Sequence, residues 1–269
     1  MIKSLFGITK EPFSRSDLSL LPQQRKIFEI IKIHSQQGGF SVVIGNPGVG
    51  KTVLREHIEG LAKERNTIVI AFSRTMHTYI NILKQLAESF KIEAPVRSLE
   101  KELIQAAYCH IRDRKVLYTL VDEAHLLDMQ TLRKLRLLFD RFPKKHNLVL
   151  FGQRDLLYYL SMQVNQDIKS RITYSESIQP LNDGDLESYI IKELESVRLG
   201  LNTFDSAATE LIIRSAQGNL RLCRNLCYAS LIDACRENKR MVTISHVNSV
   251  LVQPHWRSHD ELIKQQVAS

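Results

Sequence analysis

The chain has 269 residues and a mass of 31.0 kDa, with 43% hydrophobic and 25% charged residues, an ordinary globular composition that leaves ample apolar surface for a core. Its 11 glycines and 7 prolines exclude a collagen-like or low-complexity chain, and no window approaches the roughly 18 uncharged apolar residues of a membrane span, so no membrane partner is expected. The net charge of +8 is unevenly spread: residues 1–180 hold 27 Lys and Arg against 18 Asp and Glu, whereas residues 181–269 hold 10 against 11, which fits either a solvated surface or an anionic polymer bound by the first two-thirds.

The opening Met1–Gly7 lacks the apolar stretch and small-residue cleavage site of a secretory signal, so a cytoplasmic protein is expected. Short apolar runs then alternate with longer helical patterns. Strands are predicted at 40–44, 67–72, 116–121 and 148–151, with a weaker fifth at 172–177. Helical patterns at 51–64, 78–90, 98–113 and 128–141 lie between them, the signature of a parallel α/β sheet flanked by helices. Beyond Asn182-Asp183-Gly184 no comparable strand follows, and 185–199, 205–217, 219–237 and 243–252 all read as helices. The predicted organisation is an α/β domain over 1–180, a small helical domain over 181–255 and a polar tail over 256–269. Cys109, Cys223, Cys227 and Cys235 form no CxxC pair and read as small buried thiols rather than zinc ligands.

Three stretches carry chemistry. Gly45-Asn46-Pro47-Gly48-Val49-Gly50-Lys51-Thr52 is a full GxxxxGK[ST] motif between a strand and a helix. Its glycines let backbone N–H groups converge on phosphate oxygens at the positive end of the following helix. In such a loop Asn46, Pro47, Gly48, Val49 and Gly50 wrap a nucleotide, Lys51 neutralises its terminal phosphates, and the Thr52 hydroxyl is a Mg²⁺ ligand. The second stretch, Val116–Glu123, is a mostly apolar strand ending in two carboxylates: Asp122 suits Mg²⁺, and Glu123 suits the general base that activates water. The third is the strand tip Gly152-Gln153-Arg154, where Gln153 is placed to sense the γ-phosphate or orient the water. Arg171, before the last strand, and Arg221, at the start of a long helix, are further cations for a γ-phosphate, and Arg171 is the one suited to reach a neighbouring subunit's nucleotide. ATP with Mg²⁺ and hydrolysis are the expected ligand and reaction.

The order of phosphate loop, Asp-Glu strand, polar strand tip, Ser170-Arg171-Ile172 and Gly218-Asn219-Leu220-Arg221 resembles an AAA+ ATPase with its helical lid. Within that superfamily the chain is similar to the ExeA/TniB/TnsC group of transposition target-selection ATPases, and more distantly to MuB. The residues carrying that likeness are Phe6-Gly7 with Pro12-Phe13, Gly45–Thr52, Val121–His125, Leu150–Gln153, Arg171, and Gly218–Arg221 with Asn225-Leu226-Cys227. The resemblance implies that Asp122 and Glu123 are the Walker B pair, Gln153 sensor 1, Arg221 sensor 2 and Arg171 an arginine finger acting in trans. It also implies a homo-oligomer, a ring or helical filament, formed on double-stranded DNA with ATP. One departure is that Tyr118 and Thr119 stand in the Walker B strand where aliphatic residues are usual.

The ExeA-like resemblance covers two jobs. Secretion ATPases of that kind carry a membrane span and a cell-wall-binding region, neither of which follows here, whereas transposition helpers are often compact modules of about this length. Together with the basic first two-thirds, this favours sequence-independent binding of duplex DNA and the recruitment or regulation of a transposase; the alternative is an ATP-switched protein–protein interaction without DNA. By the same resemblance, DNA backbone contacts are expected from Arg74, Thr75 and Thr78 after the second strand and from Lys91, Arg97 and Ser98 further on, with ordinary helix caps as the competing reading. A second basic cluster, Arg133, Lys134, Arg136, Arg141, Lys144 and Lys145, reads as the solvated face of a helix or as a partner contact.

Overall fold

The computed structural model describes residues 2–13, 20–72, 78–253 and 256. The chain divides into two compact units, Ser19–Gln179 and Met1–Leu18 with Pro180–Ser269.

Five strands make the first unit: β1 Gly39–Gly45, β2 Thr67–Phe72, β3 Val116–Val121, β4 His146–Gly152 and β5 Tyr174–Ile178. They pair in the order β2-β3-β4-β1-β5, every pair parallel. Helices cover both faces, which is why the strands read as continuous apolar runs rather than alternating ones. Successive residues nevertheless serve different cores. Val42, Ile44, Leu148 and Leu150 pack beneath helices at Tyr79–Ser89, Leu99–Arg112 and Met129–Asp140, whereas Val43, Val149 and Phe151 pack beneath Pro22–His34 and Lys51–Gly60.

In chain order the helices are α1 Ile2–Phe6, α2 Pro22–His34, α3 Lys51–Gly60, α4 Tyr79–Ser89, α5 Leu99–Arg112, α6 Met129–Asp140, α7 Arg154–Ser161, α8 Gln166–Lys169, α9 Asp183–Ser196, α10 Ser206–Ala216, α11 Leu220–Arg236 and α12 Ile244–Leu251. Local chemistry starts several of them. The Asp128 carboxylate accepts from the Thr131 N–H at 2.7 Å and opens α6, and Asn182, Asp205 and Asn219 likewise cap α9, α10 and α11.

The two unusual residues of β3 have buried polar partners. Tyr118 is tied to Ser35, and burial pushes its phenol up. Thr119 Oγ1 lies 2.9 Å from His146 Nε2 on the neighbouring β4. That imidazole is stacked on Phe139, with ring centroids 4.4 Å apart, and packs edge-on to Phe142; burial pushes its pKa down to about 3, so it is neutral at pH 7.

In the second unit, residues 2–13 pack with the C-terminal helices, whereas the sequence division at 180 grouped them with the sheet. Phe13 is the reason: its ring lies 6.1 Å from Phe204 and 6.3 Å from Tyr189, and its N–H donates to Glu193 Oε2 at 3.1 Å. Burying one such aromatic is worth about 1.5–3 kcal/mol, enough to hold a short segment. Cys223, Cys227 and Cys235 are buried on α11, and Cys109 is exposed on α5; all four are free thiols. Gly218 has φ +76°, and a Cβ there would stand 2.6 Å from the Leu181 carbonyl oxygen, so the turn into α11 accepts only glycine without moving backbone.

Candidate nucleotide site

The chemistry-bearing residues of the sheet unit gather at the C-terminal ends of three strands that lie side by side. β1 runs into Gly45–Thr52, β3 into Asp122-Glu123, and β4, hydrogen-bonded between them, into Gln153. In an open parallel sheet this edge, outside the carboxyl ends of the strands, is where ligands bind.

The loop after β1 is set by its glycines. Gly48 and Gly50 take φ +85° and +99°, conformations that L side chains rarely adopt, and a Cβ on Gly45 would meet Val49 Cγ2 at 2.8 Å. Lys51, the first residue of α3, is buried: its Nζ donates to the carbonyl oxygens of Gly45 at 2.7 Å and Asn46 at 3.1 Å. These bonds hold the ammonium at the loop, beside the N-terminus of α3, the positive end of its dipole. Asn46 and Pro47 are exposed, Val49 is anchored in the core beside Val43, and Thr52 is half-buried in the first turn of α3. A buried side chain from α2 backs the loop: Gln24 Nε2 points at the carbonyls of Val49 and Gly50, each at 3.4 Å, while its Oε1 accepts from the Leu21 N–H at 3.0 Å.

At the end of β3 the backbone bends sharply. Glu123 has φ +51° and ψ +39°, an uncommon left-handed conformation for a residue with a side chain, and its N–H donates to Asp122 Oδ1 at 2.9 Å. Asp122 Oδ2 faces Arg55 Nε at 3.3 Å, and the Arg55 guanidinium also pairs with Glu59 one turn further along α3. The turn Ala124–Leu126 then brings His125 back beside Glu123, Nδ1 3.5 Å from Oε2, and sets its Nε2 3.0 Å from Gln153 Nε2. The site thus joins a glycine-rich loop with a lysine, two carboxylates and a polar strand tip. Thr52 and Asp122 offer a hydroxyl and a carboxylate, the hard oxygen donors that Mg²⁺ takes.

The remaining expected residues lie elsewhere. Arg171 follows α8 on the sheet unit, more than half exposed, with Nε 3.5 Å from Asp140 Oδ1. Arg221 is exposed in the first turn of α11 in the helical unit. Of the expected DNA contacts, Arg74 and Thr75 lie outside the described residues. Thr78 caps α4, accepting from the Asn81 N–H at 3.4 Å. Lys91 and Arg97 are exposed in the α4–α5 connection, and Ser98 donates to the Pro95 carbonyl at 3.3 Å. In the second basic cluster Arg133 donates to the Val164 carbonyl and Asn165, and Arg136 pairs with Asp140 and Asp167, so these two cations tie α6 to the α7–α8 segment. Nothing local in the sequence marks Gln24, Arg55 or His125 for these contacts; Pro22 at the first turn of α2 is the available signal for the helix that delivers Gln24.

Residues 33–160 match a family model described as an AAA domain. The fold is that of an AAA+ domain. No curated protein sequence matches the chain. Among solved structures, Cdc6p from Pyrobaculum aerophilum is similar at 18% identity and a TM-score of 0.70, over 87% of this chain and 68% of that one. The ORC2 protein of Aeropyrum pernix, solved in ADPNP–ADP complexes, is similar at 16% and 0.71, over 90% and 71%. The ORC1 protein of the same organism, in complex with DNA, is similar at 16% and 0.65, over 86% and 65%. At these identities the likeness shows the fold alone. Within the AAA+ sheet of this chain, β4 between β1 and β3 sets Gln153 between the loop and the carboxylates. Among the described residues no helix is long and apolar enough to cross a membrane, and no group of three or more His, Cys, Asp or Glu could hold a metal ion by itself.

Proposed function

We propose that this chain is an ATPase that assembles on duplex DNA when ATP is bound and recruits or regulates a transposase, in the manner of the ExeA/TniB/TnsC group. The observation that carries the ATPase part is the convergence of Lys51, Asp122-Glu123 and Gln153 at the ends of three neighbouring strands. Lys51 exchanges its loop carbonyls for the terminal phosphates. Thr52 and Asp122 would hold Mg²⁺, which when bound would offset charge on the phosphates. Glu123 takes the proton of the attacking water, and Gln153 orients that water or the γ-phosphate. Arg171, exposed on the sheet unit, completes a neighbouring protomer's site. By the same resemblance Arg221 is proposed as sensor 2.

The DNA part is supported by the excess of nine positive charges in residues 1–180, by the exposure of Lys91 and Arg97, and by the fact that a structural neighbour, the Aeropyrum ORC1 protein, was solved in complex with DNA. Phosphate contacts by Lys, Arg and hydroxyl groups are independent of sequence, which suits target selection. Duplex binding measured with ATP, ADP and no nucleotide at two salt concentrations, with particles imaged by electron microscopy, tests the reading. Salt-sensitive binding that requires ATP and yields rings or filaments is expected, since affinity falls steeply with salt when phosphates are neutralised. Absence of binding in every condition would remove DNA and point to an ATP-switched protein partner instead.

A further inference from the structure

His125 occupies a place that the reaction described above does not use. Its side chain is only 9% exposed, and both ring nitrogens face members of the site. The left-handed backbone of Glu123 and the turn closed by the Leu126 N–H to the Glu123 carbonyl at 2.9 Å fold the chain so that residue 125 returns beside residue 123. Nε2 lies 3.0 Å from the Gln153 amide nitrogen. An amide nitrogen only donates, so Nε2 accepts and the ring hydrogen sits on Nδ1. That Nδ1 is buried and faces Glu123 Oε2 at 3.5 Å, near enough to hold the carboxylate's position electrostatically and too long for a clamping hydrogen bond.

Resting on the ATPase reading, we propose that His125 is a positioning residue that couples the Gln153 strand tip to the Glu123 carboxylate. While Gln153 donates to Nε2, it fixes the ring and its tautomer, and Nδ1–H holds the Glu123 carboxylate in the orientation from which it takes the proton of the water. Without that bond the ring is free to turn and the carboxylate loses its orientation. The placement of the base thus depends on the strand tip through three side chains, two of them 28 residues apart.

The test compares wild type, His125→Ala, His125→Asn, Gln153→Ala and the His125→Asn/Gln153→Ala double variant for ATP turnover and for equilibrium binding of a fluorescent ATP analogue. Asparagine keeps a donor near the Nδ1 position and lacks an acceptor at Nε2, and its smaller change guards against loss of folding, which thermal melting checks. His125→Ala is expected to lower kcat about 10-fold or more, below the full contribution of a general base, with analogue affinity within about twofold. Interacting residues are non-additive, so Gln153→Ala should cost less in the His125→Asn background than alone. A kcat for His125→Ala within twofold of wild type, additive effects in the double variant, or a parallel loss of binding would each overturn the coupling while leaving the ATPase intact. A folded wild-type protein without turnover, with or without DNA, would instead overturn the ATPase reading and the coupling with it.

Discussion

The two halves of the candidate site are built from different materials. Around β1 the phosphate loop is a backbone construction: glycines at positive φ, a lysine folded onto two carbonyls, and a glutamine behind them. Around β3 and β4 the work falls to side chains, with Asp122 against Arg55 and Glu123 against His125, itself against Gln153. A backbone site offers fixed N–H groups to an anion and is suited to binding. A side-chain site can change its pairing when a ligand arrives and is suited to turnover. Lesions in the first half should therefore be read in affinity and lesions in the second in rate.

Glu123→Gln should lower ATP turnover by about 10²–10⁴, the usual contribution of a general base, with nucleotide affinity kept, as measured by steady-state hydrolysis beside calorimetry. On the other half, Lys51→Ala removes the one buried cation of the loop, and a charge-assisted contact of this kind is worth about 1.5–3 kcal/mol or 10- to 100-fold in affinity. Loss of nucleotide binding, and of any ATP-dependent DNA binding with it, is the calorimetric and filter-binding outcome expected.

The next effect concerns the strand that carries Gln153. His146 in β4 is neutral in the fold, its pKa pushed down by burial to about 3 from an ordinary value of 6.5. The unfolded chain therefore binds a proton that the folded chain refuses between those two values, so stability is intact above about pH 6.5 and falls as the pH drops below it. At pH 5 the loss from this group reaches up to about 2 kcal/mol. Urea denaturation of wild type and His146→Gln at pH 7 and 5 should show a smaller acid-induced loss in the variant. In the backbone half, Gln24→Ala leaves the loop carbonyls of Val49 and Gly50 without that donor and should cost about 1–2 kcal/mol of stability, with ATP weakened a few-fold and turnover at saturation unchanged.

What could be read in the sequence follows the same division. Gly45–Thr52 and Asp122-Glu123 are legible because glycine conformation and strand ends impose residue types at fixed local spacing. The strands β2 and β3 fall at the predicted residues, since a strand buried on both faces is a bounded apolar run. Helix α2 escapes because its isoleucines and phenylalanine crowd into residues 27–33, less than two turns, behind a polar first half, with Ile33 exposed. Helix α7 escaped because it is only eight residues long and leaves Leu157 and Tyr158 exposed beside the buried Leu156 and Leu160, blurring the period. The packing of Phe13 against Tyr189 and Phe204, and the approach of His125 to Gln153, join residues far apart in the chain and leave no local signature.

On the proposed reading, ATP binding builds an assembly on DNA that hydrolysis through Glu123 dissolves. The lifetime of protein on duplex DNA after chase with competitor, compared between wild type and Glu123→Gln in ATP, tests it most directly. Rings or filaments are expected to persist on DNA in the variant and to disassemble in wild type as ATP is consumed. Equal lifetimes for the two proteins, or binding indifferent to ATP in both, would contradict it.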